Sequence, residues 1–274
     1  MALPAGFTFS QASLQDYGDC PRRFQLRYVL GVRWPAAPDP QASAWEKRAQ
    51  QGAAFHRLVH QHTAGIPKTA LAETIADPEL RAWWQAYLDT PPPHLPTEVR
   101  RSEVRLSVLM DKHRLMARYD LLAIAPGIRA VIVDWKTSRR RPLSSQLEDR
   151  WQTRVYRYVL AEAGRELNRG MNLEPEQVEL IYWFTNYPQQ AERLPYDRSQ
   201  YADDRAALLS ALAEIAAQEQ DTWTLTQDLK RCRYCTYRTL CEQDAVEAPD
   251  PDWEAPEEPE DWEVDLDQIG EIAF

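Results

Sequence analysis

The stretch Val131-Ile-Val-Asp134-Trp135-Lys136-Thr137 puts a carboxylate and an ammonium two residues apart at the end of an apolar run. On a strand such residues share a face, because side chains alternate with period two. The apolar run predicts a strand buried on both faces. Asp134 and Lys136 then sit at the edge of a buried sheet rather than in bulk water. Asp120 ends a polar–apolar stretch on what reads as the preceding strand, and antiparallel pairing would bring it beside Asp134. Two close carboxylates repel, and a hard divalent cation with oxygen ligands relieves that repulsion. Such an ion polarises a phosphodiester and lowers the pKa of bound water. Lys136 would then stabilise the charge that develops on phosphorus oxygens. An Asp-x-Lys pair by itself is more often a solvated surface pair, so its weight comes from its company.

Four cysteines form a second constellation: Cys20 alone, then Cys232, Cys235 and Cys241 spaced as C-x2-C-x5-C. In a cytoplasmic chain a C-x2-C pair signals a metal more than a disulfide. All four converge if the two ends of the chain meet, giving a tetrathiolate site. Zinc and iron–sulfur clusters both accept four thiolates, and spacing does not choose between them.

The elements that must position these groups follow from hydrophobic pattern. Ser10 can cap a helix through Tyr17, and Pro21 suits the first turn of a second one running to Tyr28. Helices are predicted over 41–64 and 77–89, the latter opened by Asp77-Pro78. The pattern changes at Glu98: Val99, Val104, Leu106, Val108 and Met110 mostly alternate with polar residues, and Asp111-Lys112 can turn the chain. Leu115 to Ile124 and Ala130 to Asp134 read as two further strands. A helix fits 144–163, a strand Val178 to Phe184, and a helix 197–219. The order predicts an α/β core, a mixed sheet with flanking helices, and added helices at its N-terminal side.

With 274 residues, 44% hydrophobic and 27% charged, the chain can bury a sizeable core. Its nine glycines include neither a GxxxxGK[ST] nor a GxGxxG phosphate loop. No apolar run approaches the ~18–20 residues of a bilayer span, and Met1 to Gly6 lacks the basic and apolar regions of a signal peptide. Both point to a cytoplasmic protein with no membrane partner. The net charge of −10 hides an asymmetry. Residues 247–274 carry 12 acidic residues and no Lys or Arg, leaving 30 acidic against 32 basic residues in 1–246. An acidic average therefore does not exclude nucleic acid as partner. Arg139, Arg140, Arg141, Arg150, Arg154 and Arg157 are candidates to grip phosphates, or form an exposed charged face. Trp83, Trp84 and Trp135 are candidates to stack on unpaired bases, though most of the tryptophans are expected to be core or rim packing. The reading divides the chain into a folded domain, 1–246, and an acidic tail, 247–274, expected to be disordered. The tail's acids and spaced apolar residues suit docking to a protein partner, or only solubility.

In order along the chain, these motifs resemble the PD-(D/E)XK nucleases, in particular the RecB-like branch that includes the CRISPR-associated exonucleases. Ser10 to Phe24 is similar to that branch's opening S-x-S-x-L-x-x-Y-x-x-C-P-x-x-F. Gly52-Ala-Ala-Phe-His56 matches its G-x-x-x-H, and Asp120 with Asp134-Trp-Lys136 its catalytic core. Gln152-Thr-Arg-Val-Tyr156 matches its Q-x-x-x-Y. Where the family has glycine shortly before the first aspartate, this chain has Ala117-Arg118-Tyr119. The resemblance implies a restriction-endonuclease-like fold and a metal-dependent DNA nuclease acting on single-stranded or frayed DNA ends. His56, Asp120, Asp134 and the carbonyl of Trp135 would bind Mg2+ or Mn2+, Lys136 would be the catalytic lysine, and Gln152 and Tyr156 would line the site. It also tips the cysteines toward a 4Fe-4S cluster, with Zn2+ as the alternative, that clamps the two ends of the chain together. A nuclease trimming prespacers for CRISPR adaptation, or a catalytically silent DNA-binding subunit, would carry the same fold.

Overall fold

A computed structural model describes residues 3–32, 40–218, 223–232 and 235–241; the acidic segment 247–274 lies outside them, as do the side chains of 40–46 and 239. A short strand β1 (Thr8–Ser10) leads into helix α1 (Gln11–Asp19). Ser10 and Ser13 cap it reciprocally, each side chain accepting from the other's backbone N–H at 3.3 and 2.9 Å. Pro21 opens α2 (Pro21–Phe24), and the segment expected to run on as one helix continues instead as a π-helical turn, Gln25–Val29. Then come α3 (Pro40–Thr63), α4 (Lys68–Glu73) and α5 (Pro78–Asp89). Asp77 caps α5 by accepting from the N–H groups of Glu79 and Leu80.

Strands β2 (Val99–Met110), β3 (His113–Ala125) and β4 (Arg129–Lys136) follow as consecutive antiparallel neighbours. The helix expected over 144–163 is two, α6 (Ser144–Glu148) and α7 (Trp151–Ala163). The break has a cause: Arg150 turns extended, and the Thr153 hydroxyl takes over the Leu147 carbonyl at the end of α6. After α7 the chain crosses back to β5 (Val178–Phe184), parallel to β4, then β6 (Glu192–Pro195) and α8 (Arg198–Ala216). The last described elements are α9 (Leu229–Cys232) and a 3-10 turn, Arg238–Cys241. Among the described residues the sheet runs β1-β3-β4-β5-β6, with β2 also on β3. It is mixed, as the sequence predicts.

Two cores lie on its two faces, and the strands read out which is which. Ala130 and Ile132 of β4 face the core built with α1, α7 and α8, as do Leu180 and Tyr182 of β5. Val131, Val133 and Trp135, with Ile181 and Trp183, face the core built with α3 and α5. Alternation therefore sends Asp134 and Lys136 toward α7 and Trp135 toward α3 and α5. Trp83, Trp84 and Trp135 are all buried in that second core, so none presents an open face to a base and the packing reading holds for them. The arginines of α7 also differ from the predicted phosphate grip. Arg157 is buried and, with Arg154, pairs with Asp204 of α8 at 3.4 Å. They join helices rather than meet a ligand.

The two ends of the chain meet. Asp16, fully buried, takes Arg23 at 2.7 Å and Arg27 and the Tyr28 hydroxyl at 3.0 Å. Asp19 takes Arg23 and Gln15 from its own end and Arg231 from α9. Phe24 stacks on Trp223 with centroids 5.6 Å apart. The Arg22 N–H donates to the Thr224 carbonyl and the Tyr237 hydroxyl to that of Val32.

Candidate active site

At one point the β2–β3 ladder departs from strict alternation. Leu115, Ala117 and Tyr119 face the α7-side core, yet so do Leu122 and Ile124, so the pattern reverses once, around Asp120. On β2 it reverses too, between Val99 and Val104, both packed on that core. Between them Glu103 has φ 58, a left-handed conformation uncommon in a strand residue. Register sets Ser102 against Leu121 and Val104 against Tyr119, with Glu103 and Asp120 in the gap. The kink turns the Asp120 carboxylate out of the ladder. Its Oδ2 accepts the Trp135 N–H at 2.9 Å and its Oδ1 lies 3.3 Å from His56 Nδ1. The His56 Nε2–H donates to the Trp135 carbonyl at 3.1 Å. Helix α3 thus meets the Trp135 carbonyl directly and its N–H through Asp120.

The neighbouring β3–β4 register, Leu121 to Val133, extends to set Asp120 across from Asp134. Asp134 is held from the α7 side: Lys136 Nζ lies 2.9 Å from its Oδ2, and the Gln152 amide donates to its Oδ1 at 2.8 Å. Lys136 also donates to Gln152 Oε1 at 2.9 Å. Gln152 and Tyr156, one turn apart on α7, meet at 3.3 Å. The Tyr119 hydroxyl donates to the Tyr156 carbonyl, pinning α7 to β3. The structure therefore gathers His56, Asp120, Asp134, Trp135, Lys136, Gln152 and Tyr156 at one end of the sheet. Of Ala117-Arg118-Tyr119, which stand where a glycine was expected, Tyr119 packs its ring 5.1 Å from that of Tyr156.

Two side chains that sequence reasoning missed complete the cluster. The Tyr182 hydroxyl on β5 lies 2.8 Å from Thr153 Oγ1 and 3.4 Å from Gln152 Oε1. Lys136 Nζ sits 5.4 Å from the centre of the Tyr182 ring. Tyr182 hides in an apolar run, and its one signal was period two, which puts it on the Leu180 and Phe184 side.

Charge follows geometry. Burial pushes the Asp120 carboxyl up, but His56, the Trp135 N–H and Lys136 outweigh it and hold it below the usual carboxylate range. Burial first, then Asp134 and Asp120, push the Tyr156 phenol well up. Burial and Asp134 do the same for Tyr182. Both phenols stay neutral donors beside carboxylate anions.

Two carboxylates and a backbone carbonyl are hard oxygen donors, with one imidazole beside them, which suits Mg2+ or Mn2+. Among the described residues no three His, Cys, Asp or Glu side chains are already closed around one ion position. The donors are held instead as pairs, Asp120 with His56 and Asp134 with Lys136.

Gly52 explains the first half of the G-x-x-x-H motif. A Cβ there would stand 3.2 Å from Thr137 Oγ1, just past the end of β4. Gly52→Val is expected to push α3 off β4 and carry His56 with it. Misplacement on the ångström scale at a reacting centre lowers turnover by about 100-fold, so a drop of at least about 10-fold with unchanged circular dichroism is the outcome that checks it.

The cysteines also share a neighbourhood. Burial raises the thiols of Cys232, Cys235 and Cys241, that of Cys235 to about 11, and Cys20 raises all three further. Arg23 works the other way on Cys232 and Cys235, and Arg22 on Cys241. Among the described residues no three of these thiols are already gathered around one ion position; what the structure shows is their mutual electrostatic influence and that of Arg22 and Arg23.

The model of the PD-(D/E)XK nuclease superfamily matches residues 8–242. No curated protein matches the chain. Among solved structures, a protein of Eubacterium rectale that carries the name "Putative exonuclease" superposes with a TM-score of 0.51 at 10% identity, covering 89% of this chain and 90% of its own. The crystal structure of SSO0001 superposes with a TM-score of 0.40 at 14% identity, covering 90% of each chain. No helix among the described residues is long and apolar enough to cross a membrane.

Proposed function

We propose, from the premise that this chain belongs to the PD-(D/E)XK nuclease superfamily, that it is a metal-dependent deoxyribonuclease acting on single-stranded or frayed ends. The observation that carries the reading is the Asp120–Asp134–Lys136–Gln152 cluster, assembled from two strands and a helix at the Asp120 kink. Asp120, Asp134, the Trp135 carbonyl and His56 would hold a divalent cation, which supplies Lewis acidity toward the phosphodiester and eases deprotonation of water. Lys136 places its ammonium where the phosphoryl oxygens gain charge as the P–O bond breaks. Gln152 fixes Lys136 and Asp134 relative to each other, and Tyr182 with Thr153 fixes Gln152. Tyr156 stays protonated and donates its hydroxyl toward the substrate backbone.

Cys20, Cys232, Cys235 and Cys241 hold a 4Fe-4S cluster in this reading, with zinc as the competing occupant. The two cross-linked ends of the chain support it, because a ligand set split between residues 20 and 241 needs them together. The acidic segment 247–274 is assigned to a protein partner, and the protein to the cytoplasm.

A labelled single-stranded oligonucleotide tests the activity. Shortened products are expected with Mg2+ or Mn2+ and none in EDTA. Intact substrate with either metal would overturn the assignment.

A further inference from the structure

On the far side of Trp135 from Lys136, a cavity of about 460 Å³ opens between the end of α3, the end of α5 and the start of β2. That volume lies within the range of small-molecule and base-sized sites. Its aromatic wall is half-buried Tyr87, with Trp135, only 3% exposed, and Leu121 beneath. His62 lies within it, its Nδ1 3.0 Å from the Tyr87 hydroxyl. At the mouth stand His94 and Arg100, both exposed. Arg100 is steadied by the carbonyls of Pro96 and Leu95 at 2.9 and 3.5 Å, and no carboxylate among the described residues pairs with it. Arg129 donates to the His94 carbonyl.

The floor of this cavity is also the back of the catalytic site. Trp135 gives its N–H to Asp120 and its carbonyl to His56 while its ring lines the cavity. Leu121 follows Asp120 directly.

We propose that this cavity receives one unpaired nucleobase of the bound strand, next to the phosphodiester being cut. This rests on the nuclease reading and adds a subsite to it. The Tyr87 ring can stack on any base, which gives grip without sequence preference. Burial, then Lys68, lowers the His62 pKa and keeps its imidazole neutral, able to hydrogen-bond a base edge. Arg100 meets the phosphate at the mouth. Only an unstacked base fits, so the pocket discriminates against intact duplex.

The test is an oligothymidylate carrying a single 2-aminopurine, moved one position at a time, bound to the full chain in EDTA. One position is expected to show quenched fluorescence. Arg100→Glu, which removes the cation, and Thr63→Trp, which fills the cavity, should each abolish that quenching and weaken binding about 10-fold, the effect of losing one stacked base. Asp134→Asn should keep it. Equal fluorescence at every position, with cleavage intact, would overturn the pocket and leave the nuclease standing. A chain that neither binds nor cuts the strand would overturn both.

Discussion

Asp134→Asn and Lys136→Ala are each expected to slow DNA cleavage by about 1,000-fold, equivalent to about 4 kcal/mol of transition-state stabilisation. The two groups act as a unit. Lys136 spans Asp134 Oδ2 and Gln152 Oε1 at 2.9 Å each, so removing it frees the carboxylate and the amide to turn as well as removing a positive charge. Asparagine at 134 keeps shape and one oxygen, so the fold should hold while the anionic metal ligand is lost. Because the roles interlock, the double variant should be little worse than either single one. Single-turnover cleavage with saturating Mn2+ measures the loss, and thermal melts show whether the protein is still folded. Mn2+-dependent cleavage persisting in both single variants would place the chemistry elsewhere. Gln152→Ala is expected to fall between wild type and these, because Gln152 orients two groups but carries no charge.

Much of this arrangement was readable from the residues, for definite reasons. A strand buried on both faces leaves an unbroken apolar run, which is how Ala130 to Val133 announced β4, and period two then fixed Asp134 and Lys136 on one side of it. Caps are local, so Ser10 and Asp77 marked their helices correctly. What failed depended on partners that the local pattern does not name. Thr8–Ser10 is a strand only because β3 offers an edge, and Glu192–Pro195 only because β5 does. Arg154 and Arg157 look like an exposed basic face until Asp204 arrives from α8.

The kink at Glu103 and Asp120 lies between these cases. Its trace was present as the missed beat between Val99 and Val104, but a broken alternation does not say which way a neighbouring strand turns. The structure gives the reason it matters. Counted back from Leu122 and Ile124, a regular β3 would leave Asp120 facing α7 beside Asp134, away from α3. Reversing the pattern at one residue lets a carboxylate from β3 meet His56 from the opposite layer, so the site joins the two cores instead of belonging to one. Trp135 then has its backbone in the site and its ring in the second core.

The second large effect is expected at Cys20. Cys20→Ser should remove the broad visible absorbance of the anaerobically purified protein and its bound iron together, and lower Tm by about 10 °C or more. The argument runs from charge. Burial raises the thiols of Cys232, Cys235 and Cys241, and each is raised further by the other sulfurs near it, so at neutral pH they are poor thiolates without a metal to take the negative charge. Coordination changes that balance, and Arg22 and Arg23 offset what charge remains. Because Cys20 lies more than 200 residues from the other three, binding energy at the site is also energy holding the ends together, added to the Asp16, Asp19 and Arg231 contacts. Serine keeps the volume and removes the soft ligand. Metal analysis, the visible spectrum and a thermal melt on wild type and variant read the three consequences separately. A colourless wild type with one zinc per chain, and the same fall in Tm, would put zinc in place of the cluster. A wild type with neither metal, and a variant melting within about 2 °C of it, less than about 1 kcal/mol for a chain of this size, would show the four thiols to be packing groups only.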